Sequence, residues 1–193
     1  LEKIMALSTY VDANYRFIAA YQEVNARIAQ RQQALLLYTT LVVSLLAALV
    51  ALQSGGQKSE LPVEWLALGF PVASICLAFL NFKTERAITH LRHFLSALEQ
   101  LQNAHESLPS YNTDPRWAQS ANGARNFQDW AAAVLVCGGN GLGLGAIFSI
   151  YPERVSQDPI IPWLTVGLTI VSVLALVVIP RWSYRSTRNG LNG

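Results

Sequence analysis

Between Cys137 and Gly145 the chain reads Cys-Gly-Gly-Asn-Gly-Leu-Gly-Leu-Gly, with five glycines in the eight residues from Gly138. Glycine at this density suggests three kinds of chemistry. In a phosphate-binding loop the backbone amides cradle an anion, but such a loop follows a strand and opens a helix. No strand pattern precedes Cys137, and the residues around it are apolar. In a membrane, glycine lets helices approach closely. Gly139 with Gly143, and Gly141 with Gly145, make two overlapping Gly-x-x-x-Gly pairs that suit this role. The third option is a pore-facing segment in which Asn140 and backbone carbonyls meet water or ions. Helix packing and pore lining both remain open for Asn140 and its glycines.

Thr165, Thr169 and Ser172 share one face of a later apolar run. Their hydroxyls can return to carbonyls of the preceding turn, or line a narrow polar path beside Asn140. His90 and His93 lie three apart on a helical pattern, and no third ligand follows at helical spacing. We therefore expect no metal, and the remaining histidine, His105, adds none. Cys76 and Cys137 sit inside apolar runs, where a cysteine acts as a small packing residue. Ser, His and Asp are all present without a nucleophile elbow or other local catalytic signature. The sequence predicts neither a catalytic centre nor a cofactor.

The elements that carry these residues are apolar and long. Residues 34–52, 65–82, 130–151 and 160–180 contain no Asp, Glu, Lys, Arg or His. At about 1.5 Å per residue, each run crosses a hydrocarbon core of about 30 Å. Only 13% of the chain is charged, and its mean hydropathy is +0.28. The predicted fold is an all-α membrane protein. Four transmembrane helices form two hairpins, 34–82 and 130–180, and long cytoplasmic helical extensions prolong the first. Residues 1–33, 83–129 and 181–193 are the expected cytoplasmic segments. Because the runs hold no Asp, Glu, Lys, Arg or His, a proton-coupled transporter or pump is disfavoured.

Orientation follows from the bases. Twelve of the fourteen Lys and Arg residues fall in residues 1–33, 83–129 and 181–193, and only Lys58 and Arg154 fall elsewhere. The positive-inside rule places both termini in the cytoplasm of a multi-pass protein of the inner (plasma) membrane. The mild cytoplasmic charge argues against direct nucleic-acid binding. The chain starts at Leu1 rather than Met, which we read as a few missing leading residues. Residues 1–33 lack the apolar core of a signal peptide.

Residues 2–33 contain no Gly or Pro, and Ile4, Leu7, Val11, Tyr15, Ile18, Tyr21, Val24 and Ile28 make a stripe that drifts as in a coiled coil. Ile88, Leu91, Leu95, Leu98, Leu101 and Leu108 make a second stripe over 84–108. Together they predict a helical stalk, with Tyr15, Ile18, Leu91, Leu95 and Leu98 as assembly contacts. A loop is expected over 108–117, and 118–129 is ambiguous between helix and coil. Within the first hairpin, Thr40, Ser44, Ala47 or Ala48, and Ala51 are expected to meet Ala67, Pro71, Ser74, Ala78 and Asn81.

One resemblance concerns residues 13–101. A helix bearing Tyr15-Arg16, Arg27 and Arg31 precedes an apolar hairpin, and a charged helix, Lys83-Thr-Glu-Arg-Ala-Ile-Thr-His-Leu-Arg92, follows it. This layout resembles the SLATT-type membrane effectors of bacterial antiviral and nucleotide-signalling systems. It covers about half the chain, and the second hairpin departs from it. The resemblance implies a pore-forming or membrane-perturbing effector released by a soluble sensor, and it carries over no functional residue. Two functions follow. The first is an oligomeric channel or pore-forming effector gated through its cytoplasmic helices. The second is a non-conducting anchor that recruits a soluble cytoplasmic protein. Both expect lipid as solvent and a homo-oligomer as the assembly.

The orientation is directly testable. In a chain with Cys76 and Cys137 replaced by serine, cysteines at Ser54 and Gln157 should react with an impermeant maleimide from outside. A cysteine at Ser8 should react only after permeabilisation; outside labelling there would reverse the topology.

Overall fold

In the computed structural model, residues 2–54, 64–101, 110–157, 159–178 and Tyr184 are described. Side chains are described at these positions except 2–12, 53, 54, 64, 119, 121, 124, 125, 154 and 157. Every regular element among them is a helix, and no strand occurs. Helix α1 spans Glu2–Ser54 and α2 Glu64–Glu99. Helix α3 spans Pro115–Ile150, the short α4 Pro152–Gln157, and α5 Ile160–Val178. Four of these helices are long and apolar enough to cross a membrane.

The local reasons are legible. Without Gly or Pro from residue 2 to 54, nothing interrupts α1. Asp114 starts α3: its Oδ1 accepts from the Arg116 amide at 2.9 Å, and Pro115 takes the first helical position. Helix α3 therefore begins inside the expected 108–117 loop and absorbs the ambiguous 118–129 stretch. Helix α2 stops at Glu99, well before Pro109, and residues 102–109, with Leu108, lie outside the described set. Pro71 is accommodated within α2.

The chain divides into two compact units. One is formed by residues 32–82 and 128–180, and the other by 1–31, 83–127 and 181–193. The first unit holds an apolar core. Tyr38, Val42 and Leu49 of α1 pack with Ala67, Phe70, Leu77 and Ala78 of α2 and Ala132, Val136 and Ile147 of α3. Leu176 of α5 joins them. Tyr38 meets Ser74, and Leu45 lies over Gly69, so numbering rises on α1 as it falls on α2. Its outer surface is apolar too: Leu37, Val43, Phe79, Val134, Leu142 and Ile170 are all exposed. Such a surface is suited to lipid rather than to water.

The expected small-residue contact is half corrected. On α2, Ala67, Pro71, Ser74, Ala78 and Asn81 are buried as anticipated. On α1, Thr40, Ser44, Ala47 and Ala51 face outward and Ala48 is half-buried, and Thr40 and Ser44 bond back to the Leu36 and Thr40 carbonyls. Helix α1 instead buries the bulkier stripe Tyr38, Val42 and Leu49, one large partner against a small-residue face. Cys76 and Cys137 are free, and both are exposed instead of lying in the core of the unit.

In the second unit Ala20 and Val24 of α1 pack on Ile88 and Leu95 of α2, with Phe17 and Leu91 beside them. Arg31 and Glu85 form a buried ion pair at 3.3 Å, each almost fully enclosed. The drifting stripe on α1 therefore splits. Val24 turns inward with Phe17 and Ala20, whereas Tyr15, Ile18, Tyr21 and Ile28 stay exposed.

The two Gly-x-x-x-Gly pairs have different surroundings. A β-carbon at Gly143 would lie 2.8 Å from the Phe70 ring, and one at Gly139 would lie 3.1 Å from the Tyr38 hydroxyl. At Gly141 and Gly145 nothing stands within 4 Å. Gly143→Ala should therefore destabilise the folded chain by about 1–3 kcal/mol through overpacking. Within a single chain, Gly141→Ala should be neutral, or stabilising by up to about 1 kcal/mol through helix propensity. Thermal unfolding of the two variants in detergent checks this; equal effects would refute the assignment.

Candidate functional site

In the apolar unit, three helices each contribute one polar side chain to a shared cluster. Asn140 of α3 donates from Nδ2 to Ser74 Oγ at 2.8 Å and to its own Val136 carbonyl at 2.9 Å. Ser74 of α2 donates its only hydroxyl hydrogen to the Phe70 carbonyl at 2.9 Å. The Tyr38 hydroxyl of α1, 3.3 Å from Ser74 Oγ, is then the donor in that pair. All three residues are buried. Gly139 makes the arrangement possible, because its missing side chain leaves room for the Tyr38 hydroxyl. Two acceptors face Nδ2, which fixes the amide orientation, and Oδ1 is left without a hydrogen-bond partner. Hydrogen bonds of this kind in membranes average about 0.6 kcal/mol and reach about 1.7 kcal/mol. The cluster therefore contributes more to register than to stability.

The other sequence-derived candidates divide between inside and outside. Gly139 and Gly143 lie against α1 and α2, whereas Gly141 and Gly145 face out. Thr165 and Ser172 are buried and Thr169 is half-buried. Each returns its hydroxyl four residues back, to the carbonyls of Ile161, Thr165 and Leu168, at 2.7–2.9 Å. Of the expected assembly contacts, Leu95 is buried, Leu91 and Leu98 are half-buried, and Tyr15 and Ile18 are exposed. Sequence reasoning named Ser74 only as a small residue and passed over Tyr38. A tyrosine in the middle of an apolar run was the available signal, since its hydroxyl needs a partner when buried.

In the polar unit a second arrangement centres on Arg92, which sequence reasoning counted only as a base. Its Nε donates to Asn112 Oδ1 at 3.1 Å and its Nη1 to Asn122 Oδ1 at 3.3 Å. Its guanidinium carbon lies 5.2 Å from the Tyr184 ring centre and 5.7 Å from that of Tyr111. Tyr184 donates its hydroxyl to the Asn112 carbonyl at 2.9 Å, and Asn122 Nδ2 donates to the Tyr184 carbonyl at 2.7 Å. His93 packs edge-on against Tyr184 at 4.7 Å. About two turns of helix further on, Glu99 accepts from the Asn112 amide and side chain and from the Thr113 amide and hydroxyl. A single carboxylate thus pins the turn that precedes α3.

Beside these residues opens a groove of about 610 Å³, with Phe17, Tyr21 and Ile28 of α1 on one wall and Arg92, Glu99 and Tyr111 on the other. Helix α1 lines it mostly with apolar side chains and with Asn25, whereas α2 and the turn add Ile88 and the polar Arg92, Glu99 and Asn112. Such a groove can bind an amphipathic surface. No group of three or more His, Cys, Asp or Glu that could hold a metal occurs among the described residues. No protein-family model matches the chain, and no curated protein or solved structure matches it significantly. The fold and side-chain geometry are therefore the basis for its function.

Glu99→Ala should loosen the turn. A hydrogen bond to a charged group is worth about 1.5–3 kcal/mol. Tryptic cleavage at the exposed Arg116 should therefore speed up about tenfold or more, following the greater population of the open turn. An unchanged cleavage rate would show that Glu99 does not hold it.

Proposed function

We propose that this chain is the subunit of an oligomeric membrane channel or pore-forming effector of the bacterial inner membrane. Its apolar helices form two hairpins, its termini lie in the cytoplasm, and its polar unit is the gate. The observation that carries this reading is the outward face of α3. Cys137, Gly138, Gly141 and Gly145 are exposed there, and a side chain added at any of the three glycines would meet nothing. Toward lipid, glycine brings no packing benefit and weakens the helix by about 1 kcal/mol relative to alanine. Toward another copy, it permits the close backbone approach by which membrane helices associate.

The conducting path in this proposal runs between copies. Asn140, Thr165 and Ser172 are engaged inside one chain, so they support packing rather than pore lining. The layout shared with SLATT-type effectors supports a place in antiviral defence, with a soluble sensor acting on the polar unit. The groove beside Arg92 supports the second reading, a non-conducting anchor that recruits a soluble protein.

Purified protein in planar bilayers separates the two. The channel reading expects single-channel currents that Gly141→Leu abolishes and that Asn140→Leu leaves unchanged at equal oligomer size. Absence of current from the intact oligomer would favour the anchor.

A further inference from the structure

Beside the inward face of α1 in the polar unit, the sequence carries a second regular pattern. Ile4, Leu7, Val11, Asn14, Ile18, Tyr21, Asn25 and Ile28 are spaced three, four, three, four, three, four and three apart. That is an uninterrupted heptad, with Ile4, Val11, Ile18 and Asn25 at a and Leu7, Asn14, Tyr21 and Ile28 at d. It lies beside the seam packed within the chain, which uses Phe17, Ala20, Val24 and Arg31, and its Tyr21, Asn25 and Ile28 also border the groove next to Arg92. Where side chains are described the heptad seam is open: Ile18 is 49% exposed, Tyr21 52% and Ile28 37%, with Asn14 and Asn25 exposed beside them.

We infer that residues 4–28 of α1 form a parallel two-stranded coiled coil with the same helix of a second copy of this chain. Four features support that occupant. First, Ile4, Val11 and Ile18 place β-branched residues at three of the four a positions, the choice of parallel two-stranded coils, with Leu7 the one leucine at d. Second, Asn25 at an a position finds its match in the Asn25 of an in-register copy, whereas an unrelated apolar helix would leave it unpaired. Third, the seam is free of charge. Asp12, Arg16, Glu23 and Arg27 all fall at b, c or f, and Glu23 and Arg27 pair with each other. Fourth, that mixture of signs is unsuited to a lipid surface, which selects a predominantly basic polar face.

The direction of the pair rests on the proposed topology. Helix α1 is unbroken from Glu2 to Ser54 and carries both the seam and the first apolar run. Two copies inserted with the same orientation therefore bring their seams together in parallel. This places residue 18 opposite residue 18 of the second copy.

Disulfide mapping in native membrane vesicles tests the inference, using the full chain with Cys76 and Cys137 replaced by serine. Single substitutions Ile18→Cys and Tyr21→Cys should give covalent dimers on mild oxidation. Arg16→Cys and Glu23→Cys, on the opposite face, should do so at least tenfold more slowly. Equal rates at all four positions, or no dimer at positions 18 and 21, would overturn the coiled coil. Cross-links between 14 and 25 in mixed vesicles, without self-linking at 18, would overturn the parallel arrangement. A separate variant, Asn25→Val, keeps the seam apolar but removes its register signal. Light scattering in detergent should then show species larger than the parent oligomer, and an unchanged single size would count against the role given to Asn25. Neither readout requires a current, so a non-conducting protein that still gives the 18–18 link would sink the channel reading alone.

Discussion

Hydrocarbon offers a polypeptide no hydrogen bonds and no reason for one apolar helix to prefer another over lipid. Both constraints act on this chain. The first obliges each apolar run to satisfy its amides within itself, which only a helix can do here. The second means that association depends on close fit and on the few polar groups present. The core of the apolar unit shows both devices at one place. Gly139 and Gly143 bring α3 against Tyr38 and Phe70, and the Tyr38, Ser74 and Asn140 side chains interlock where the backbones are close. The glycines and the polar cluster depend on each other. A side chain at Gly139 would displace the tyrosine hydroxyl that completes the cluster.

The polar unit obeys different rules. Water competes for its hydrogen bonds, so its shape is held by charged groups that are enclosed and multiply bonded. Arg92 and Glu99 lie seven residues apart on α2 and so share a face. Between them they hold the turn at 110–114 and the only described residue of the tail, Tyr184. Arg31 and Glu85 form a third enclosed arrangement. Burying two charges costs several kcal/mol per ion before their attraction offsets it, so such a pair specifies register more reliably than it adds stability. Removing either partner would leave a buried charge, which fixes how α1 and α2 meet in this unit.

Much of this architecture was legible in the chain. Absence of charge over four long runs fixed where the apolar helices lie, and Asp114-Pro115 already carried the start signal of α3. The Arg31–Glu85 pair was also within reach. Each residue stands three positions outside its apolar run, Arg31 before Ala34 and Glu85 after Phe82. Other features were not legible for a definite reason. The α1 contact was misassigned because small residues recur on several faces of an Ala- and Ser-containing helix, and periodicity alone does not say which face meets a neighbour. The Arg92 network was hidden because its partners, Asn112, Asn122 and Tyr184, are distant in sequence and individually ordinary.

Composition and spacing, then, determined the helices, their lengths and the charge asymmetry, because these depend on each residue's own affinity for water and on the backbone's need to bond locally. Only the tertiary structure decided which glycines are filled by a neighbour, which polar groups meet, and which of two adjacent seams on α1 turns inward. Those choices depend on the shape that arrives from another helix. Gly139 and Gly141 are alike in sequence and differ only in what stands opposite them.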